Sequence, residues 1–212
     1  MTRRRRPILA SAALLLAGAF ALDRSRPTPA VAQPPPESSP ESSPAGRIVF
    51  PSGKLPKLPL PGGARPIRSL LDVREQMKYG DFVWNDARVP PGRVWIRVDL
   101  GQQTMSVFRG QHEIGTAVIL YGADEKPTPL GRFPVMARYK NHRSSLYDAP
   151  MPYTLRLTGD GVAIHGSNVR WGAATHGCIG VPTAFAAKLF PHVRVGDPVM
   201  IVSGRSGAGP VR

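Results

Sequence analysis

The chain has 212 residues, 24 of them proline, with 28 Lys and Arg against 14 Asp and Glu. That length suits one ordinary domain plus some unstructured chain. The formal net charge of +14 divides evenly, +7 in residues 1–65 and +7 in residues 66–212, with Arg3 to Arg6 the one dense run. Such a spread argues against a dedicated nucleic-acid arm, which concentrates Lys and Arg on one face; it suits encounter with an anionic polymer or a membrane surface.

Arg3 to Arg6 form a positive n-region ahead of the apolar run Ile8 to Leu22. A spanning helix needs roughly 20 apolar residues, so a run this short reads as an export signal. Ala30-Val31-Ala32 offers a small-x-small cleavage triplet, with a cut after Ala21 or an uncleaved anchor as alternatives. Residues 1–32 are therefore expected to be a signal peptide or short N-terminal anchor. The protein would then be exported to the periplasm or cell envelope, touching the membrane only through this segment if it stays uncleaved.

Residues 33–66 carry Pro34-Pro35-Pro36 and a repeated Glu-Ser-Ser-Pro at 37–40 and 41–44. Few large apolar residues oppose the entropy of ordering, so a disordered Pro/Ser-rich linker is expected. Order should begin near Ser69, within an N-terminal extension of the domain at 67–93. There Leu70, Leu71, Val73 and Met77 give a short helical period, followed by the apolar Phe82-Val83-Trp84.

From residue 94 to 203 strand patterns take over. Val94, Ile96 and Val98 alternate with Trp95, Arg97 and Asp99, and Gly101-Gln102 marks a turn into Thr104 to Arg109. Glu113 to Leu120, Phe133 to Tyr139, Tyr153 to Leu157, Val162 to His165 and Val199 to Val202 are further expected strands. A helix is expected between Thr183 and Phe190, started by Pro182 and stopped by Pro191. The expected fold is mainly β with one or two helices, ending in a flexible tail at 204–212.

Cys178 is the lone cysteine. No intramolecular disulfide can form, and an unpaired thiol is a liability in an oxidising compartment. Free cysteines are often inert and buried, but this one lies in Ala174-Thr175-His176-Gly177-Cys178-Ile179-Gly180. Small flanking residues let a substrate backbone approach and let main-chain N–H groups point inward. A thiol of pKa about 8.5 also needs a base or a positive field to react near neutrality. His165, at the end of the apolar Val162-Ala163-Ile164, and His176, two residues before the cysteine, are the candidate bases. His176 is equally readable as a structural hydrogen-bonding residue. His112, His142 and His192 read as surface or satisfied core residues. Zinc held by His165, His176 and Cys178 is a further reading, but no fourth ligand has suggestive spacing.

Four motifs in order resemble the catalytic domain of L,D-transpeptidases. They are the strand pair Trp95-Ile96-Arg97-Val98-Asp99 and Thr104-Met105-Ser106-Val107-Phe108, the loop Pro127-Thr128-Pro129-Leu130-Gly131-Arg132-Phe133, Ile164-His165-Gly166-Ser167, and Thr175-His176-Gly177-Cys178. The resemblance implies a β-rich mixed sandwich with a helix beside the active-site loop. It implies that Cys178 is the nucleophile and His165 its base, the imidazole oriented by the Gly166 carbonyl. Main-chain N–H groups at Gly177 and Cys178 would stabilise the oxyanion, with His176 in an orienting role. Ser167, Asn168, Arg170 and Thr175 would contact substrate.

The implied activity is formation of peptidoglycan cross-links through a Cys178 thioester, by a monomer acting on stem peptides without metal or organic cofactor. Hydrolysis of wall peptides by the same pair, as an L,D-carboxypeptidase or amidase, and non-catalytic wall binding are the alternatives. Two departures from the family pattern stand out. Gly180 occupies a place where the family usually has Arg or Asn, so Asn168 or Arg170 is expected to supply the missing polar group. Only 12 residues separate His165 from Cys178, which leaves the acceptor side more open.

Overall fold

The computed structural model describes residues 46–122, 126–144 and 148–204, all within the compact unit Glu37–Arg212. The expected signal segment, the first part of the expected linker and residues 205–212 of the tail lie outside the described residues. In chain order the strands are β1 (Arg47–Val49), β2 (Lys57–Leu60), β3 (Gly63–Pro66), β4 (Ser69–Leu71), β5 (Phe82–Trp84), β6 (Val94–Asp99), β7 (Thr104–Arg109) and β8 (His112–Val118). They continue with β9 (Gly131–Pro134), β10 (Ala137–Tyr139), β11 (Thr154–Arg156), β12 (Ala163–Ser167) and β13 (Ile179–Pro182), then helix α1 (Thr183–Leu189) and β14 (Pro198–Val202). The protein is mostly β with mixed sheets, as its alternating patterns foretell.

One sheet runs β1-β4-β8-β7-β6-β14-β9, with β5 also paired to β8; the second runs β10-β11-β12-β13; β2 and β3 form a separate hairpin. Period-two alternation sends Ile96, Val98, Met105 and Val107 to one face of the first sheet. There they pack with Leu155, Ile164, Ile179, Phe185 and Leu189 in the main core. Trp95, Phe108 and Met200 point the opposite way and form a second cluster with Ile67. The Trp95 and Phe108 rings stack with centroids 4.0 Å apart.

That second face explains the first correction. Residues 46–66, expected as linker, carry β1, β2 and β3, and Phe50, Leu58 and Leu60 pack over Trp95 and Phe108. A segment poor in apolar residues orders here because it covers a hydrophobic face that the rest of the domain already presents. Arg47 fastens it, donating to Ser69 Oγ at 3.1 Å, to the Glu113 carbonyl at 2.6 Å and to the Asn85 carbonyl.

The expected helical period at Leu70–Met77 is also corrected: Ser69–Leu71 is a strand between β1 and β8. Ser69 and Leu71 are buried while Leu70 is half-buried, a period of two that three residues cannot distinguish from a helix start. The Leu71 N–H donates to Glu113 Oε2 at 2.9 Å, completing the tie. The expected strand Phe133–Tyr139 is two strands in different sheets. Its β9 part pairs with β14 and its β10 part with β11, with the Val135 N–H donating to the Asp197 carbonyl at the crossing. Pro134 lacks the N–H that would continue the ladder. Among the described residues there is one helix, α1, burying Phe185, Ala186 and Leu189. None is long and apolar enough to cross a membrane.

Candidate active site

The site is built on the parallel pair β12–β13, whose register sets Ile164 beside Ile179, His165 beside Gly180 and Ser167 beside Pro182. Ile164 and Ile179 are fully buried in the core. Because side chains alternate across a strand, that anchoring turns Ala163 and His165 on one strand, and Cys178 and Gly180 on the other, to the opposite face. Strand spacing and rise place the His165 and Cys178 backbones roughly 8 Å apart on the diagonal, within reach of an imidazole and a thiol pointing the same way. The strand β13 immediately after Cys178 is not among the expected elements; its sequence Ile-Gly-Val-Pro is too short and Gly-interrupted to register as a pattern.

His165 is 8% exposed. Its Nδ1 lies 3.0 Å from the Gly166 carbonyl and 3.4 Å from Ser167 Oγ. A carbonyl can only accept, so Nδ1 carries the proton and Nε2 keeps its lone pair. Burial holds the imidazole below its ordinary pKa, against a smaller opposing effect of the Gly166 bond. Cys178 is half-buried and its Sγ lies 3.6 Å from the Gly161 carbonyl. Burial pushes the thiol up, while the Ala163 N–H and the Lys126 ammonium pull it down by less. Both shifts favour the neutral forms, thiol and imidazole, over an ion pair. The thiol hydrogen-bonds Gly161 and not His165, the looser geometry common in sites that tighten only around substrate.

Both groups line one cleft of about 750 Å³, shared with Ser167, Asn168, Arg170, Thr175 and His176. That size holds a peptide-sized ligand. Asn168, Arg170 and His176 stand exposed on its rim. The Thr175 hydroxyl is committed to the loop that carries Cys178, donating to the Cys178 carbonyl at 2.6 Å. His165, His176 and Cys178 do not combine into a metal-ligating set, and no group of three such side chains does so among the described residues.

The polar group expected beside Gly180 comes from a different residue. A Cβ added at Gly180 would stand 2.9 Å from Ser167 Oγ and 3.0 Å from Ser167 Cβ. Ser167 thus fills the space that a side chain at 180 would need, and its hydroxyl reaches His165 Nδ1. Asn168 and Arg170 make no side-chain hydrogen bond to a described residue. The exchange is invisible in sequence because it depends on the β12–β13 register.

Several cleft residues escaped the sequence reading. Lys126, Arg156 and Asp160 line it, as do His142 and Tyr139, whose rings stack with centroids 5.2 Å apart. Thr128 lies inside a recognised motif without an assigned role. It is 4% exposed, accepts from the Gly122 N–H at 2.9 Å and donates to the Gly177 carbonyl at 3.0 Å.

A thiol and a correctly tautomerised imidazole opening on one cleft can perform acyl transfer at a carbonyl. Residues 93–201, just over half of the chain, match the family model YkuD, the L,D-transpeptidase catalytic domain, and the chain belongs to that family. Among curated proteins, L,D-transpeptidase 1 of Mycobacterium tuberculosis is 26% identical, over 58% of this chain and 66% of the relative. Among solved structures, an L,D-transpeptidase from Mycobacterium smegmatis aligns at TM-score 0.49 and 23% identity, over 52% of this chain and 59% of that one. The crystal structure of the Mycobacterium tuberculosis enzyme aligns at TM-score 0.47 and 27% identity, over 52% and 62%. The chain therefore spans about three fifths to two thirds of the length of these relatives.

Proposed function

We propose that this chain is an exported cysteine-dependent L,D-transpeptidase that cross-links peptidoglycan stem peptides. The observation that carries the reading is the Nδ1 contact between His165 and the Gly166 carbonyl, which leaves Nε2 basic on the cleft side that Cys178 shares. Cys178 Sγ attacks the carbonyl before a terminal D-amino acid as its proton passes to His165 Nε2. The oxyanion collapses, the amine leaves with the proton from His165, and the acyl group stays on sulfur. An acceptor amine then attacks the thioester and gives its proton to His165, which passes it to the departing sulfur, leaving a new amide, a free thiol and a neutral imidazole. Outside the cytoplasm no ATP is at hand, and this route conserves the energy of the amide it breaks.

The charge of the cleft supports a carboxylate-rich donor. Among the described residues, Lys126, Arg156 and Arg170 line it with Asp160 as the one carboxylate, a balance that favours an anionic peptide. The test uses purified protein and a carbapenem, whose strained amide traps a nucleophilic thiol. The intact mass should rise by one drug equivalent, and Cys178→Ala should show no adduct. An unmodified wild-type protein would refute the reading. With stem peptides, cross-linked dimers are expected; shortened monomers alone would instead establish hydrolysis.

A further inference from the structure

The geometry points to Thr128 as the positioning residue that aims the oxyanion-stabilising amide of Cys178. This inference rests on the acyl-transfer reading above and names a part that the family motif leaves without a role. A threonine hydroxyl has one proton to give and lone pairs to receive. Here the Gly122 N–H occupies a lone pair at 2.9 Å and the proton goes to the Gly177 carbonyl at 3.0 Å. Both directions are taken, so the hydroxyl is locked, in a buried place where water does not compete.

The consequence runs through one peptide plane. The Gly177 carbonyl and the Cys178 N–H belong to the same trans peptide and point in opposite directions. Drawing the carbonyl toward Thr128 sends the Cys178 N–H the other way, toward the cleft that Cys178 lines. That N–H has no partner among the described residues, as a donor reserved for a developing oxyanion would require. The loop conformation depends on glycine: Gly177 sits at φ +96°, where a side chain is strained. Gly122 packs so close that a Cβ there would lie 2.2 Å from the Lys126 carbonyl and 2.8 Å from the Gly177 backbone. On the other side, Thr175 holds the Cys178 carbonyl, so the two peptides flanking the nucleophile are each fixed by a threonine hydroxyl.

The test separates oxyanion support from thiol reactivity. Acylation by a carbapenem passes through a tetrahedral oxyanion, whereas alkylation of the same sulfur by iodoacetamide does not. Thr128→Val keeps the shape and removes the hydroxyl; Thr128→Ser keeps the hydroxyl; Thr128→Ala replaces the valine variant if that fails to fold. Acylation in Thr128→Val is expected to slow by on the order of 10- to 100-fold, somewhat less than outright loss of an oxyanion donor. Alkylation should stay within about twofold and Thr128→Ser within a few-fold of wild type, by the same principle. Equal acylation in Thr128→Val and wild type would overturn the inference. So would a parallel fall in both reactions, or a Thr128→Ser variant as slow as the valine. A wild-type protein that takes no carbapenem condemns the acyl-transfer reading itself, a result visible before any variant is compared.

Discussion

Gly180 offers a direct test of how the site is packed. In Gly180→Ala the new Cβ would lie 2.9 Å from Ser167 Oγ, 3.0 Å from Ser167 Cβ and 3.4 Å from Leu120 Cβ. Carbon atoms in good contact sit about 3.5–4.0 Å apart. Rotating the serine can move Oγ but not Cβ, so the strands must part by about half an ångström. Residue 180 cannot retreat, because its N–H and carbonyl are bonded to Leu120 at 2.9 and 2.8 Å. Overpacking of this kind costs about 1–3 kcal/mol. For a domain of this size that lowers Tm by about 2–4 °C for each kcal/mol. Ser167→Gly removes both offending atoms, at a cost of about 0.5–1 kcal/mol for glycine in a strand. The double variant Ser167→Gly/Gly180→Ala should therefore melt well above the value that adding the two single losses gives, a coupling of about 1 kcal/mol or more. Thermal melts of the three variants, with carbapenem acylation rates alongside, decide it. Purely additive losses, or a Gly180→Ala variant that melts with wild type, would refute the packing argument.

The family and the mainly β architecture are legible from residues. Alternation at Val94, Ile96 and Val98 revealed β6 because both faces of that strand carry a pattern that composition cannot blur. Cys178 was legible because it is the only thiol and its neighbours are small. What escaped depended on pairing across distance. The strands at 46–66 are ordered by Trp95 and Phe108, which lie tens of residues away, so local composition pointed to a linker. The polar group beside Gly180 looked as though it should come from Asn168 or Arg170, nearest in the intervening loop. Register instead delivers Ser167, which sequence alone cannot supply. Thr128 was visible only as a motif letter; its two hydrogen bonds join residues 122 and 177, a partnership that exists only after the sheets assemble.

The remaining tests follow from the same contacts. A chain beginning at residue 67 would uncover Trp95, Phe108 and Met200 and lose the Arg47 fastening. Re-exposing on the order of 150–200 Å² of apolar area costs about 4–5 kcal/mol at ~25 cal/mol per Å². It should melt at least about 8 °C below the chain that retains residues 46–66, and a loss of only a degree or two would show that the hairpin is not part of the folded unit. The pH profile tests the resting protonation state. A thiolate–imidazolium pair would require a raised His165 pKa and a lowered Cys178 pKa; burial drives each in the opposite direction. Catalysis then needs His165 unprotonated, and the acylation rate should fall only when pH drops through a value below the ordinary imidazole pKa of about 6.5. Iodoacetamide alkylation of His165→Ala, which lacks the base, should rise with pH through a value above the ordinary thiol range. Stability carries the same sign for His165: the unfolded imidazole takes a proton that the folded one refuses, so His165 lowers stability as pH falls through the unfolded value. An acylation rate still on its plateau at neutral pH and declining well below 6.5 fits the neutral pair. Rapid alkylation of the wild-type thiol at pH 5, undiminished from pH 7, would mean that sulfur and imidazole rest as an ion pair and that the burial argument fails.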